Sequence, residues 1–314
     1  MRPVTDPAGT SPAGGSAAQA PGVPAAVAAG GPRRTRGALP GILTAAAALL
    51  TVAALLAAAA TAVFGNDGPG SILDRETLVI GVKPDQPGLG VRRADGRYEG
   101  FDVDVATEVA RRIGAADVRF VTALSSTRQS LIETGRVDMV VATYTITPEN
   151  RAKVTFAGPY YVAHQDTLVR GGDRAVTNVR DLKGRRLCQA AGSNSWRRVA
   201  EERRVAVELV PASSYGDCLA KLRAGTVDAV STDDLILAGF AAEAGSEVRI
   251  VNAPFTDERL GIGMRKGDLD GCEAVNRAIT AMYQDGTAER LLRKWFGTSG
   301  LDLTFTVPQF EGCD

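Results

Sequence analysis

Short, mostly apolar runs alternate with amphipathic segments from about residue 76 onward. The runs at 78–82 and 137–142 are bounded by turn residues. Their composition is typical of buried parallel strands, because such strands are covered on both faces. Residues 101–113 carry an apolar side chain at every fourth position and predict a helix with one apolar face. This alternation of strands and helices predicts an α/β fold.

A spacing pattern occurs twice in the chain. An aliphatic residue is followed by glycine three positions later and by aspartate three positions after that, at 132–138 and again at 222–228. In each case a predicted helix ends and a predicted strand begins. Two similar half-units, each directing a polar strand end outward, predict two lobes that face one cleft.

The same reasoning predicts the other elements. Strands are predicted at 118–121, 186–189, 207–210, 228–231 and 248–251. Helices are predicted at 128–133, 196–202, 215–223, 272–284 and 287–296, and a further helix opens at 232–234. Two extended segments, 160–169 and 259–264, cross between the lobes and predict a hinge.

Polar residues follow or precede these elements at two places of interest. Thr143, Thr145 and Thr147 occupy every second position after a predicted strand, at the sheet edge where small ligands bind in open α/β sheets. Asp102 and Asp104 lie in the first turn of the helix at 101–113. Capping and the helix dipole account for these two aspartates, so no catalytic role is assigned to them.

Composition excludes several classes of function. The 314 residues are 45% hydrophobic and 5% aromatic, enough for two α/β lobes with appendages. The formal net charge is zero and the arginines are scattered, so no nucleic-acid partner is predicted. His164 is the single histidine, and the cysteines do not form close pairs. Neither a metal site nor a cofactor is therefore predicted.

The N-terminal quarter has a different character. Residues 1–37 are dominated by Ala, Gly, Pro and Ser and predict a disordered cytoplasmic tail. Residues 38–64 include an uncharged run long enough to cross a bilayer, preceded by arginines that place the N-terminus inside the cell. We favour a transmembrane anchor. Cleavage after Ala60-Thr61-Ala62 remains the alternative, and residues 65–75 form a linker.

Four cysteines follow this export segment, at positions 188, 218, 272 and 313. An even number in an exported chain indicates two disulfides, for which three pairings are possible. We favour Cys188–Cys218 and Cys272–Cys313, the second of which ties down the C-terminus. Four buried free thiols are the alternative.

Several sequence blocks carry a family resemblance. GFDVDVATEVARRI at 100–113 fits a signature of glycine, aromatic, acid, aliphatic, acid and aliphatic before a spaced apolar helix. TYTITPE, FAGPYY, AAGSNS, VDAVSTD, GIGMRKGD and DGTAERLLRKWFG fit later blocks. Over residues 76–298 the chain resembles the extracellular solute-binding proteins of polar amino-acid ABC transporters, family 3. IGVKPDQPGLG and the paired cysteines look like the actinobacterial glutamate-type receptors.

The resemblance implies a periplasmic-binding-protein-like fold of type II, preceded here by one transmembrane helix. Lobe 1 would comprise residues 76–165 and 259–314, and lobe 2 residues 166–258, joined by a two-segment hinge. The implied function is capture of a polar amino acid outside the membrane, glutamate above aspartate or glutamine, for an ABC importer permease. A monomer tethered through the N-terminal helix is expected.

The resemblance also assigns site residues. Asp233 falls where the family places the carboxylate that pairs with the ligand ammonium. The family usually has an arginine for the ligand carboxylate where this chain has Asn150, and Arg151 follows. Either Arg151 substitutes, or the N–H groups of Thr145 and Ser193 bind the carboxylate, or the ligand class differs. The complete set of ligand-binding candidates is Lys83, Asp85, Gln86, Thr143, Tyr144, Thr145, Asn150, Arg151, Ser193, Asn194 and Asp233.

Within that set, Lys83 facing the cleft would favour a ligand with a second carboxylate, and Arg128 is a weaker candidate for the same role. Two other functions remain open. An uncleaved anchor also suits a sensor subunit that signals to a membrane partner. The fold further resembles that of cyclohexadienyl dehydratases, in which Asp85 or Asp233 with Lys83 could form an acid–base pair.

Overall fold

The structure is a computed structural model that describes residues 70–314. The predicted tail and the predicted anchor or signal, residues 1–64, lie outside the described residues, as does the linker up to residue 69. Within 70–314, no helix combines the length and the apolar character that a membrane crossing needs.

The elements follow the predicted alternation. The strands are β1 (Thr77–Val82), β2 (Asp85–Gln86), β3 (Gly90–Arg92), β4 (Tyr98–Glu99), β5 (Asp117–Thr122), β6 (Met139–Thr145), β7 (Thr155–Arg170), β8 (Arg186–Ala190), β9 (Glu208–Ala212), β10 (Ala229–Asp233), β11 (Val248–Ile250) and β12 (Thr256–Met264). The helices are α1 (Phe101–Arg112), α2 (Arg128–Glu133), α3 (Pro148–Arg151), α4 (Ser195–Arg197), α5 (Tyr215–Arg223), α6 (Asp234–Ala244), α7 (Leu269–Gln284) and α8 (Thr287–Phe296).

The main sheet has the strand order β5-β1-β6-β12-β7-β10-β8-β9, and β11 pairs with β7. Strands β5, β1 and β6 are parallel, as are β10, β8 and β9. Between these groups, β7 and β12 form an antiparallel ribbon that contains both predicted extended segments. We call β5, β1 and β6 with α1–α3, α7 and α8 the first half, and β10, β8 and β9 with α4–α6 the second half.

Three clusters of buried apolar side chains cover the faces of the sheet. One contains residues of both halves, such as Leu78 and Met139 with Leu219 and Val230. A second lies in the first half and a third in the second half. Each group of parallel strands is therefore covered on both faces, which explains their continuous apolar runs.

The repeated spacing pattern has the same local structure in both halves. Asp138 accepts a hydrogen bond from the Val79 N–H at 2.7 Å, and Asp228 accepts one from the Arg186 N–H at 3.0 Å. The glycines of the two patterns have φ values of 65° and 72°, a left-handed conformation in which glycine is favoured. Each aspartate thus joins the start of its strand to the neighbouring parallel strand.

One predicted helix differs from its prediction. The segment expected as a helix at 196–202 begins as α4 and continues as a π-helix from Arg198 to Glu202. Its N-cap residue Asn194 makes no side-chain capping hydrogen bond. This helix therefore begins without a side-chain cap from its N-cap residue.

Both favoured disulfides are formed, which confirms the predicted pairing. Cys188 and Cys218 join β8 to α5, and Cys272 and Cys313 join α7 to the C-terminal segment. Within the described residues no cysteine is free. The C-terminal segment is further held by Glu311, whose N–H donates to the Gly158 carbonyl of β7.

Loss of either disulfide is expected to destabilise the fold. The bonds close loops with sequence separations of 30 and 41 residues. In the chain-entropy model, each lowers the free energy of the folded state relative to the unfolded chain by about 3–4 kcal/mol. Cys188→Ala/Cys218→Ala and Cys272→Ala/Cys313→Ala should each lower the melting temperature in calorimetry by roughly 10 °C. An unchanged melting temperature in either variant would contradict the pairing.

Candidate functional site

Polar side chains from both halves surround a small cavity with about 200 Å³ of empty space. It lies where the C-terminal ends of β6 and β10 meet the loops after β5 and β8. The lining residues are Ser125, Arg128, Thr143, Thr145, Ser193, Asn194, Ser195, Tyr215, Thr232, Asp233 and Ile236. Five predicted site residues are thus brought together: Thr143, Thr145, Ser193, Asn194 and Asp233. We call this space the inner cavity.

A larger, more open cavity adjoins it. Ser125, Arg128, Ser193 and Asn194 line both spaces, so these residues form the wall between them. The outer cavity extends to Trp196 in the second half.

Asp233 is a buried carboxylate in the inner cavity. It is 3% exposed and stands at the N-cap position of α6, yet its side chain makes no capping hydrogen bond. Burial, together with the nearby Glu258 and Asp234 carboxylates, raises its pKa well above the usual range. No hydrogen bond to this carboxylate is formed within residues 70–314. The ionised form of such a buried carboxylate is stabilised by a cationic partner, which a ligand can supply.

Arg128 brings a positive charge to the same cavity from the first half. It is 4% exposed, and its Nη1 donates to the carbonyls of Ala142 and Thr143, both at 3.0 Å. Its guanidinium stacks on the Tyr144 ring at 3.9 Å, a favourable cation–π contact. The two hydrogen bonds use only one of the three nitrogens of the planar guanidinium group. Because the side chain lines both cavities, its remaining donors are available for a bidentate contact with a carboxylate.

Thr143 is held in a strained conformation between these groups. Its φ of 45° lies in the left-handed region, which costs a non-glycine residue about 1–3 kcal/mol. Its N–H donates to Asp102 at 3.0 Å, and its hydroxyl donates to the Gln86 side-chain oxygen at 3.1 Å. Arg128 binds its carbonyl. Such strain persists where the surroundings fix it, and it is common in ligand sites.

The two aspartates of α1 lie in its first turn, as the helix-dipole interpretation requires, but contrary to the capping interpretation they do not cap this helix. The N-cap is Gly100, which has no side chain. Asp102 is fully buried and accepts from the Thr143 N–H and from the Tyr160 hydroxyl at 2.8 Å. Asp104 accepts from the Trp295 indole N–H at 2.7 Å. Asp102 therefore positions a cavity residue, and Asp104 joins α1 to α8.

Three first-half candidates lie behind or beside the cavity lining. Lys83 is 2% exposed, and its Nζ donates to the hydroxyl of the lining residue Ser125 at 2.5 Å. Burial, reinforced by repulsion from Arg128, lowers the pKa of Lys83 to about 7. Gln86 is buried behind Thr143, and its side-chain nitrogen has no partner within residues 70–314. The Asp85 carboxylate accepts from the Gly216 N–H of α5, at 2.9 Å, rather than facing the cavity.

The segment after β6 places the remaining candidates outside the inner cavity. Asn150 lines the outer cavity and donates from its amide to the Thr145 carbonyl at 3.0 Å. Arg151 points toward the C-terminal segment, where it binds Glu311 at 3.0 Å and Asp314. Since these carboxylates engage Arg151, it does not take the place of the family arginine here. Tyr144 packs under Arg128 and against Phe156.

On the side of the second half, the inner cavity is lined by a network of hydroxyl groups that the sequence analysis largely missed. The Tyr215 hydroxyl donates to Ser195 Oγ at 2.8 Å, and Ser195 Oγ lies 3.3 Å from Thr232 Oγ1. Ser195 and Thr232 directly neighbour predicted residues and were recognisable from that position. Tyr215 and Ser125 carry no such local signal. The Ser193 N–H donates to the Ala190 carbonyl, so it is not free for a ligand carboxylate.

Asp102 makes stability depend on pH. Burial raises its pKa to about 6, although hydrogen bonds from Tyr160 and Thr143 favour the ionised form. A raised pKa means that the folded state binds the proton more tightly. The contribution of Asp102 to stability is therefore complete below pH 3.8 and is lost as the pH rises through 6.

We expect Asp102→Asn to flatten this dependence. Between pH 7.5 and 5, the wild-type free energy of unfolding should change more favourably than that of the variant by about 1 kcal/mol. Asp234, with a pKa of about 6, acts in the same direction, and Lys83 acts in the opposite one. Both residues remain in the variant, where loss of the Asp102 charge lowers the pKa of Lys83 further and so adds to the expected difference. Urea unfolding at the two pH values measures the difference. Parallel pH dependences in the two proteins would show that Asp102 does not titrate in this range.

Comparisons with known proteins agree with this geometry. Residues 78–298 match the sequence profile of the bacterial extracellular solute-binding proteins, family 3. The chain is 37% identical over 245 residues to the glutamate-binding protein GluB of Corynebacterium glutamicum, covering 74% of this chain and 83% of that protein. It is 32% identical over 229 residues to the ABC transporter glutamine-binding protein GlnH of Bacillus subtilis, covering 72% and 83%.

A solved structure shows the same mixed α/β, periplasmic-binding-protein-like fold. It is the ancestral amino acid-binding protein AncCDT-1, a precursor of cyclohexadienyl dehydratase. The match has a TM-score of 0.65 at 30% identity and covers 72% of this chain and 97% of that structure. The two relatives are thus named for the binding of glutamate and glutamine, and the solved structure is that of an amino acid-binding protein.

Proposed function

Because the chain belongs to the bacterial extracellular solute-binding proteins of family 3, we propose that it captures a free acidic amino acid, glutamate in the first place, for an ABC importer. The observation that supports this most strongly is the pairing of opposite charges across one cavity. Asp233 comes from the second half and Arg128 from the first. An amino acid carries an ammonium and a carboxylate and can satisfy both at once.

We assign the ligand ammonium to Asp233. The carboxylate is buried without a cationic partner among the described residues, and its raised pKa reflects the cost of that burial. An ammonium in the cavity would restore the ionised form and form charge-assisted hydrogen bonds. The hydroxyls of Thr143 and Thr232 line the same space and can accept its remaining protons.

We assign a ligand carboxylate to Arg128, in place of the family arginine that is Asn150 here. Its fork is fixed by the Ala142 and Thr143 carbonyls and by the Tyr144 ring, so little conformational entropy is lost on binding. Lys83 lies behind Ser125 on the same side of the cavity, with a pKa of about 7, and a second ligand carboxylate nearby would favour its charged form. Arg128 and a lysine charged in this way favour a ligand with two carboxylates, hence glutamate or aspartate over glutamine.

The proposal includes closure of two lobes around the ligand. Residues 76–165 and 259–314 form the first lobe and residues 166–258 the second, with β7 and β12 as the hinge. Ligand binding stabilises the closed form because only there do Asp233 and Arg128 act on one molecule. Residues 38–64 would hold this unit at the outer face of the membrane, and an importer permease would recognise the closed form.

Isothermal titration of the full-length protein with the twenty amino acids tests the proposal. A micromolar dissociation constant corresponds to about −8 kcal/mol, which a few charge-assisted contacts can provide. We expect glutamate to give the largest affinity. Absence of heat with every amino acid would refute the function.

Incubation with arogenate or prephenate tests the enzymatic alternative, because it detects dehydratase activity. Turnover of either compound would replace the binding function by an enzymatic one.

A further inference from the structure

The segment between β1 and β3, which contains the short strand β2, reaches from the first half to two helices of the second half. Asp85 of β2 accepts from the N–H of Gly216, which is the second residue of α5. The first N–H groups of a helix have no partner within the helix, so this aspartate supplies one from the opposite half. The contact exists only while the halves are together.

In a second contact of the same segment, the main chain at Pro87 packs directly against the main chain of α6 at Gly239. A Cβ atom added to Gly239 of α6 would lie 1.8 Å from the Pro87 carbonyl oxygen and 2.8 Å from its carbonyl carbon. Real Cβ atoms do not approach other atoms so closely, and the obstacle is main chain that cannot rotate away. Glycine is a poor helix former, so its position inside α6 is not explained by the helix itself. The close approach of Pro87 explains it.

A third contact between the halves lies beside the inner cavity. A Cβ atom on Gly192, which follows β8, would lie 2.5 Å from the Ser125 carbonyl and from Ser126 Cα. Gly192 also has a φ of 72°, which favours glycine on conformational grounds alone. Its neighbour Ser193 and its contact Ser125 both line the cavity. The Gly192 contact therefore lies directly beside the binding space, and Gly239 lies one turn along α6 from the lining residue Ile236.

We infer that Gly239 and Gly192 are positioning residues that allow the two halves to close, and that Asp85 is a latch across the closed interface rather than a ligand contact. The glycines permit main chain of one half to approach main chain of the other. This brings Ser125 and Arg128 within reach of a ligand bound to Asp233. The inference rests on the proposed function, since the halves must separate for a ligand to enter.

Gly239→Ala is the sharpest test, because local structure and closure respond in opposite directions. Within α6 alanine is the better helix former, so the second half should fold at least as well as in the wild type. The added methyl group should hold the halves apart. We expect glutamate affinity to fall on the order of 100-fold, because apparent affinity falls with the fraction of molecules able to close. The melting temperature of the unliganded protein should be unchanged or higher.

Gly172→Ala is the matched control. Gly172 also lies in the second half, and a Cβ there meets no atom within 4 Å. This variant should bind glutamate like the wild type.

Substitution of Asp85 tests its contact with α5. Asp85→Ala should weaken glutamate binding about tenfold, and Asp85→Asn, which keeps an acceptor oxygen for the Gly216 N–H, should weaken it less.

Two results would overturn the inference. One is wild-type glutamate affinity in Gly239→Ala. The other is a lower melting temperature of Gly239→Ala together with a loss of binding that the unfolded fraction of the variant fully explains. The contact would then stabilise a single rigid fold rather than the closed state of two halves. If the wild type binds no amino acid, the proposed function fails instead. Hydrogen exchange then tests the contact without ligand: the backbone of 83–90 and α6 should exchange faster in Gly239→Ala, and unchanged exchange there would refute the inference.

Discussion

We expect the Asp233→Asn variant to bind glutamate at least about 100-fold more weakly than the wild type. Asparagine has nearly the same shape but carries no negative charge, so the ligand ammonium would be buried without a counter-charge. The unliganded variant should be at least as stable as the wild type. Burial already raises the pKa of Asp233, and the amide removes the cost of ionising a buried acid. Titration calorimetry and thermal unfolding measure the two effects.

Asp234→Asn is the control for this substitution. Asp234 is the next residue, and burial raises its pKa to about 6, but it does not line the inner cavity. The affinity of the Asp234→Asn variant for glutamate should stay near the wild-type value. Equal losses in the two variants would mean that the local negative charge of this segment, rather than contact with the ligand, supports binding.

Arg128→Lys is expected to lower glutamate affinity by roughly 100-fold as well. Lysine keeps the positive charge but has no planar fork, so it cannot bind a carboxylate through two parallel hydrogen bonds while also binding the Ala142 and Thr143 carbonyls. The loss should be larger for glutamate than for glutamine if the fork binds the side-chain carboxylate. It should be equal for both if the fork binds the carboxylate that the two amino acids share.

The exposed Arg136, which follows the same helix, provides the matched Arg→Lys control. Arg136→Lys should bind like the wild type. A stable Arg128→Lys variant with wild-type affinity would contradict the assignment of Arg128 to the ligand. The paired titrations with glutamate and glutamine then also identify which carboxylate of the ligand Arg128 contacts.

Much of the fold is predictable because it depends on local patterns. Helices α2, α5 and α8 have the predicted boundaries, since glycine, serine or polar residues mark their ends. The buried runs of β1 and β6 reflect coverage on both faces, which sequence composition reports directly. The π-helix after α4 is different. Its first residue, Arg198, binds Glu258 at 2.8 Å, a tertiary contact 60 residues away that no local pattern indicates.

The candidate site is predictable where it follows strand ends and unpredictable where it depends on contacts between halves. Thr143 and Asp233 both lie near the C-terminal ends of buried strands, β6 and β10, which meet at one edge. The role of Asp85 depends on Gly216, which is 131 residues away, and no spacing rule connects them. Asp102 was interpreted as a capping residue from its position. Its partners Thr143 and Tyr160 become visible only in the folded chain.

Titration of the full-length wild-type protein with three ligands tests the central claim most directly. Glutamate carries an ammonium and two carboxylates, glutarate lacks the ammonium, and γ-aminobutyrate lacks the α-carboxylate. The account predicts a micromolar dissociation constant for glutamate and at least about 100-fold weaker binding of glutarate, whose missing ammonium leaves Asp233 without a partner. γ-Aminobutyrate should also bind weakly. Glutarate binding as tightly as glutamate would contradict the claim that Asp233 holds the ligand ammonium.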